Sequence, residues 1–160
     1  MTADTRRRIE AHIANLGDED QNIALSAQRR LIRFGTKAVD ALTKACESAN
    51  PQVRYRAVWA LGKIGDNCAY GTILRLTNDP AGEVSYDAFM ALGVLGDERA
   101  IVPLADKVRH AAIEDVNASA AAMALSKFGE KAIPIAREIA RTGSNYGKQM
   151  AQQILDSDSD

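Results

Sequence analysis

Side chains that carry enzymatic chemistry are few in this 160-residue chain and stand far apart in the sequence. The two histidines, His12 and His110, lie in separate segments, and Cys46 and Cys68 do not have the spacing of a zinc site. The sequence also contains no glycine-rich phosphate loop and no motif for a nucleophilic serine. We therefore predict no catalytic residue, no metal site and no resident cofactor, and we expect that the chain is not an enzyme.

A second group of side chains has the types that dominate protein-binding surfaces. Tyr55 and Tyr86 stand at matching distances before two glycines, and Trp59 and Met90 follow them by one helical turn. Trp, Tyr and Arg supply much of the binding energy at protein interfaces. The candidate partner-binding residues in this pattern are Arg29, Arg33, Tyr55, Arg56, Trp59, Lys63, Tyr86, Asp87 and Met90. A second interpretation stays open for Trp59 and Met90, which could pack between neighbouring helices instead.

Four similar phrases place these positions on repeated elements. They read SAQRRLIRFG, RAVWALGKIGD, DAFMALGVLGD and AAMALSKFGE, and they close at Gly35, Gly65, Gly96 and Gly129. These glycines are 30, 31 and 33 residues apart. Such a period is typical of a solenoid, in which each unit buries its apolar face against its neighbours.

The local signals within each unit are those of helices. Asn50-Pro51 and Asp79-Pro80 suit helix starts, and apolar residues then recur at helical spacing up to a glycine suited to the turn after a helix. We predict an all-α solenoid of five antiparallel helical hairpins, forming one domain over residues 1–156. The predicted units are 3–34, 36–65, 67–96, 98–129 and 131–156, and residues 157–160 are predicted to form a disordered acidic tail.

The phrase NPQVRYRAVWALGKIGD resembles the HEAT repeat, and more narrowly the HEAT-like repeat of the phycobilisome-lyase type. The matching residues in this unit are Asn50, Pro51, Val53, Arg54, Ala57, Ala60, Leu61, Gly62, Gly65 and Asp66. The resemblance implies a superhelix in which the second helix of each pair lines the concave face. It also implies that Arg54 is structural and bonds to acidic residues or carbonyls of neighbouring loops.

This resemblance is specific for fold and poor for function, because the repeat occurs in chromophore lyases, hydroxylases, DNA-repair glycosylases and plain scaffolds. The deoxyhypusine hydroxylases of this class hold iron with His-Glu pairs. No His-Glu dipeptide occurs here, which argues against that activity.

We predict a non-enzymatic scaffold or adaptor that binds a peptide or helix of another protein on the concave face. One alternative is a bilin-lyase-like or phycobilisome-associated protein that holds a tetrapyrrole in the same groove. Another is nucleic-acid binding through the basic residues 1–65, which carry 11 Lys and Arg against 7 Asp and Glu, although the acidic second half argues against it. Because no signal peptide and no long apolar run are visible, we expect a cytoplasmic monomer that does not enter membranes.

Overall fold

The computed structural model of the protein describes residues 1–157, and every regular element within them is helical. The predicted tail therefore lies outside the described residues apart from Ser157, where the last helix ends. The helices are α1 (Ala3–Ala14), α2 (Gln21–Phe34), α3 (Val39–Ala45), α4 (Pro51–Ile64), α5 (Tyr70–Leu76), α6 (Gly82–Leu95), α7 (Ile101–Arg109), α8 (Val116–Ser126), α9 (Ile133–Thr142) and α10 (Asn145–Ser157).

These helices pack in chain order as two layers. The second helices form one layer, in which α2 packs on α4, α4 on α6, α6 on α8 and α8 on α10. Each first helix packs on the second helix of its own pair, as α3 does on α4 and α5 on α6. Contacts thus run mainly between neighbouring units, which is the packing of a solenoid. The predicted all-α solenoid is confirmed.

The Gly-Asp pairs of the repeat separate one unit from the next. Gly65 and Gly96 end α4 and α6 in the left-handed conformation, with φ of 75° and 72°, which a glycine adopts without the steric cost of a Cβ. The carboxylate of Asp66 then accepts the backbone N–H of Cys68 at 2.9 Å and starts a short 3₁₀ turn that leads into α5. One glycine and one aspartate thus end one helix and begin the next.

Helix α6 begins later than the sequence suggests. The prediction that Asp79-Pro80 opens this helix is wrong, because α6 begins at Gly82 and its N-cap residue, Ala81, makes no side-chain cap. The Asp79 carboxylate accepts the Ala81 N–H at 2.9 Å and is also bound by Arg54, with Nε donating to Oδ2 at 2.7 Å and Nη2 donating to Oδ1 at 2.8 Å. It therefore ties the loop before α6 to the preceding unit.

Arg54 joins the loops of two successive units. Besides Asp79, it donates from Nη1 to the backbone carbonyls of Ser48 at 2.8 Å and Ala49 at 3.1 Å. Both members of the ion pair are largely buried, with side chains 13% and 5% exposed, and the hydrogen bond from Arg54 holds the pKa of the Asp79 carboxyl below its usual range. The structural role that the resemblance implies for Arg54 is confirmed.

Glycines in the middle of α4 and α6 allow the second helices to approach closely. A Cβ added at Gly62 would lie 2.8 Å from the Ala91 Cβ, and one added at Gly93 would lie 2.7 Å from the Ala124 Cα. Close-packed protein interiors do not accommodate such distances without movement. Helix α2 has Ile32 at the corresponding position, and its packing on α4 is less extensive than that of α4 on α6.

We expect Gly93→Ala to destabilise the fold although alanine has the higher helix propensity by about 1 kcal/mol. The added methyl group would push α6 away from α8, at a net cost of about 1–3 kcal/mol in the free energy of unfolding. Urea denaturation measures the change. The matched control is Gly71→Ala in α5, where a Cβ meets nothing within 4 Å, and its stability should be unchanged or slightly higher. Equal stability of the two variants would contradict the close-approach explanation.

Candidate binding surface on the second helices

The second-helix face, defined as the solvent side of α2, α4, α6 and α8, carries eight of the nine candidate residues. Exposed members are Arg29, Arg33 and Lys63, and partly buried members are Tyr55, Trp59, Tyr86, Asp87 and Met90. The ninth, Arg56, is fully buried. The face therefore has a rim of exposed cations and an interior of half-buried aromatic, apolar and acidic side chains.

Three of the candidate residues, Tyr55, Tyr86 and Asp87, line one groove across α4 and α6. The groove has a volume of about 620 Å³, and its complete lining is Gln21, Gln52, Tyr55, Gly82, Glu83, Tyr86, Asp87 and Val116. Both tyrosines pack partly against the hydrophobic core, so the position of their rings is fixed by the fold. The groove thus joins rigid aromatic surface to a carboxylate.

The sequence reasoning missed two polar residues of this groove, Gln52 and Glu83. They stand three residues before Tyr55 and Tyr86, which places them on the same side of their helices. The Gln52 Nε2 donates to the Glu83 Oε2 at 3.3 Å and so bridges α4 and α6. Extending the count of matching positions by one more turn toward the helix starts would have found both.

Asp87 is a half-buried carboxylate without a cationic partner. Within the described residues it makes no hydrogen bond and no ion pair, whereas Asp79 in the same unit has Arg54. Burial raises the pKa of Asp87 to about 6, and the negative charge of Glu83, one turn earlier on α6, raises it further. A charged group kept in this state costs stability, and such groups are often found at functional sites.

Trp59 and Met90 lie one helical turn beyond the tyrosines. Trp59 keeps part of its side chain exposed, and the Lys63 Nζ lies 4.7 Å from the centroid of the indole ring, within the range of a cation–π contact. Met90 packs partly against the core. The two side chains continue the tyrosine surface along α4 and α6, but they do not line the groove itself.

The prediction that Arg56 faces the groove is wrong. This side chain is 1% exposed, and it donates from Nη1 to the Leu16 carbonyl at 2.6 Å and from Nη2 to the Gln21 Oε1 at 2.7 Å. The Gln28 Nε2 in turn donates to the Arg56 carbonyl at 3.0 Å. The guanidinium group therefore lies between the first unit and α4, at the start of α2.

Arg29 and Arg33 lie apart from the tyrosine groove. They line a separate, open cavity of about 380 Å³ along α2, together with Asn22, Leu25, Ser26 and Arg30. Neither arginine forms an ion pair with another residue of the described chain. The two arginines of the candidate surface therefore belong to the first unit, and the acidic and aromatic residues belong to the next two.

Two other kinds of site are not found in the part of the chain that the structure describes. None of its helices is long and apolar enough to cross a bilayer, and no three His, Cys, Asp or Glu side chains are grouped as ligands of a metal ion.

A family profile described as HEAT repeats matches residues 9–70 and 39–120. The chain belongs to the HEAT-repeat family, and the resemblance seen in the sequence is confirmed. A comparison with curated protein sequences found no match.

Solved structures agree with this assignment. The chain is similar to the complex of CpcE and CpcF of phycocyanin lyase from Nostoc sp. PCC7120, with 24% identity and a TM-score of 0.63. That match covers 92% of this chain and 63% of the other, so this chain spans less than two thirds of that protein's length. Human deoxyhypusine hydroxylase in complex with glycerol is similar with 16% identity and a TM-score of 0.50, over 95% of this chain and 74% of the other. Both likenesses show the fold.

We expect Arg56→Lys to lower the free energy of unfolding by about 2 kcal/mol. A lysine cannot make both hydrogen bonds of the guanidinium fork, and it would leave a buried acceptor unsatisfied. The control is Arg29→Lys, the same chemical change at an exposed position of α2, which should alter stability little. Thermal or urea denaturation compares the two variants. If Arg56→Lys is as stable as the wild type, the packing of the first unit on α4 does not depend on the guanidinium group.

The pKa of Asp87 predicts how stability changes with pH. The pKa is about 6 in the folded chain against a usual value of 3.8, so between these values the folded state binds more protons and stability falls as pH rises. Above about pH 6 the free-energy cost of the charged, half-buried carboxylate no longer changes with pH. Asp87→Asn should remove this cost and stabilise the chain at pH 7.5 by about 1 kcal/mol, after allowance for solvent screening.

Urea denaturation at pH 4.5 and pH 7.5 tests this expectation. Asp87→Asn should shrink the difference in stability between the two pH values, while Asp40→Asn, which removes an exposed carboxylate from α3, should leave it as it is in the wild type. If the Asp87→Asn variant is no more stable than the wild type at pH 7.5, the burial of the charged Asp87 carboxylate does not destabilise the fold.

Proposed function

We propose that this chain is a HEAT-repeat adaptor that binds a peptide or helix of another protein on its second-helix face. The observation that carries the proposal is the continuous surface formed by the Tyr55 and Tyr86 groove and the partly exposed Trp59 beside it. Rigid aromatic side chains of this kind are enriched at the centres of protein interfaces. In HEAT-like arrays this face is the concave one.

Further apolar residues extend the surface on both sides. Met123 on α8 is 52% exposed and Leu25 on α2 is 37% exposed, and each lies in the series of positions that contains Trp59 and Met90 or the two tyrosines. Exposed apolar side chains that occur singly need no explanation, but contiguous ones indicate an interaction surface. Four successive second helices thus present apolar side chains on the same face, as a bound helix or extended peptide would require.

Nucleic-acid binding is less compatible with this face. Glu83 and Asp87 place negative charge at its centre, and the burial of Arg56 removes one of the basic residues on which that alternative depends. Phosphate contacts need accessible cations, and those of the first unit, Arg29 and Arg33, lie outside the groove.

A tetrapyrrole is the second candidate ligand, favoured by the likeness to the phycocyanin lyase complex. It would use the same groove, whose volume is about 620 Å³. Mixing the purified chain with a free bilin tests this alternative, since binding in a protein groove shifts the absorbance of the pigment. The adaptor proposal expects no shift, and a saturable shift abolished by Tyr86→Ala would favour the tetrapyrrole.

Affinity purification from the native host, followed by measurement of the purified partner, tests the adaptor proposal. Trp59→Ala should weaken the partner's binding by about 30-fold, equivalent to about 2 kcal/mol, because the largest aromatic side chain of the surface is lost. The control is Val102→Ala on α7, which truncates an apolar side chain that is 58% exposed in the other helical layer.

Circular dichroism should show that both variants are folded as the wild type. Unchanged affinity of Trp59→Ala and Tyr86→Ala for the partner, with an effect of Val102→Ala, would place the working surface on the first helices and overturn the proposal.

A further inference from the structure

The tyrosine groove carries negative charge that the chain itself does not neutralise. Glu83 and Asp87 stand one turn apart on α6, where two like charges repel each other. The hydrogen bond that Glu83 receives comes from the neutral amide of Gln52, and Asp87 receives none from the described residues.

The three cations of α4 make their contacts with other groups of the chain. Arg54 pairs with Asp79, and the Lys63 Nζ lies over the Trp59 ring. The buried Arg56 donates to the Leu16 carbonyl and the neutral Gln21 side chain, and its Cζ lies 5.8 Å from the centroid of the Tyr55 ring. The pair of carboxylates is therefore left to solvent or to an outside cation, beside two aromatic rings.

The chain contains an internal example of the contact that such a groove can make. In the first-helix layer, the Arg99 guanidinium lies 4.2 Å from the centroid of the Tyr70 ring, and its Nε donates to the Asp97 Oδ1 at 2.9 Å. One tyrosine and one carboxylate thus hold a guanidinium by stacking and by a charged hydrogen bond. Tyr86 and Asp87 offer the same two chemical groups without an arginine of the described chain.

We propose that the groove formed by Tyr55, Tyr86 and Asp87 is the subsite for a lysine or arginine side chain of the bound partner. The aliphatic stem of that side chain lies along the tyrosine rings, as long basic side chains commonly do on apolar surface. Its charged head pairs with Asp87 and Glu83 and supplies the missing counter-charge. The proposal rests on the adaptor function above and specifies the chemistry of the partner: a basic residue flanked by apolar ones.

Val116 supports the second part of this description. It lies at the α8 edge of the groove and is 63% exposed, so an apolar neighbour of the basic residue has a surface to cover. The partner segment would run across α4, α6 and α8, with its cation on α6.

Selection from a random 12-residue peptide library displayed on phage, with the whole chain as target, tests the proposal. Peptides whose binding is lost with Trp59→Ala or Tyr86→Ala are those held by the second-helix face. We expect these peptides to share a lysine or arginine at one position beside apolar residues. For the tightest peptide, Asp87→Asn should weaken binding by about tenfold, and replacing its shared basic residue by norleucine or glutamine should do the same.

A double-mutant cycle separates direct contact from indirect effects. If the basic residue pairs with Asp87, the two changes together should weaken binding little more than either change alone. Asp40→Asn is the matched control for the loss of one negative charge and should leave the affinity unchanged. Because Asp87→Asn is expected to stabilise the fold, unfolding cannot explain a loss of binding, and denaturation of the same samples verifies this.

The outcomes distinguish the two proposals. Face-dependent peptides with no enrichment of basic residues, or with affinity insensitive to Asp87→Asn, overturn the cation subsite and leave the adaptor proposal standing. Selected peptides that are rich in acidic residues, and whose binding depends on Arg29 and Arg33, would also overturn the cation subsite and leave the adaptor proposal standing. Failure to select any peptide that depends on Trp59 or Tyr86 counts against both.

Discussion

Close contact between successive second helices is the constraint on which the rest of the structure depends. Gly62 against Ala91 and Gly93 against Ala124 leave no space for a further methyl group, so α4, α6 and α8 lie as near to one another as their backbones allow. That spacing places Tyr55 beside Tyr86 and so creates a groove across two units. Helix α2 has Ile32 in place of the glycine and packs less extensively on α4.

The sequence was sufficient to predict the fold because each repeat contains helix-end signals, an apolar stripe at helical spacing and a closing glycine. It was insufficient where one side chain can serve two purposes. Asp79 suits a helix start and also suits Arg54, and only the packed loops show that its carboxylate accepts hydrogen bonds from both the Ala81 N–H and Arg54. Arg56 and Asp87 occupy equivalent positions in their units, yet one is buried and the other lines the groove, because the environment of each depends on the neighbouring unit.

The candidate site combines features that oppose stability. Two aromatic rings remain partly exposed, and a half-buried carboxylate, whose pKa is raised to about 6 by burial and by Glu83, has no cation of the described chain beside it. Proteins keep such costs where function requires them. The groove is also the place where the sequence predictions were least complete, since the hydrogen bond between Gln52 and Glu83 joins two units and depends on how α4 packs on α6.

The central claim is that a partner covers the second-helix face, and hydroxyl-radical footprinting tests it most directly. The oxidation rates of Tyr55, Trp59 and Tyr86 report on that face, and Tyr70 in the first-helix layer serves as an internal reference. The account predicts that the bound partner slows oxidation of the first three side chains and leaves Tyr70 unchanged. Protection of Tyr70 with unchanged oxidation of Trp59 and Tyr86 would contradict it.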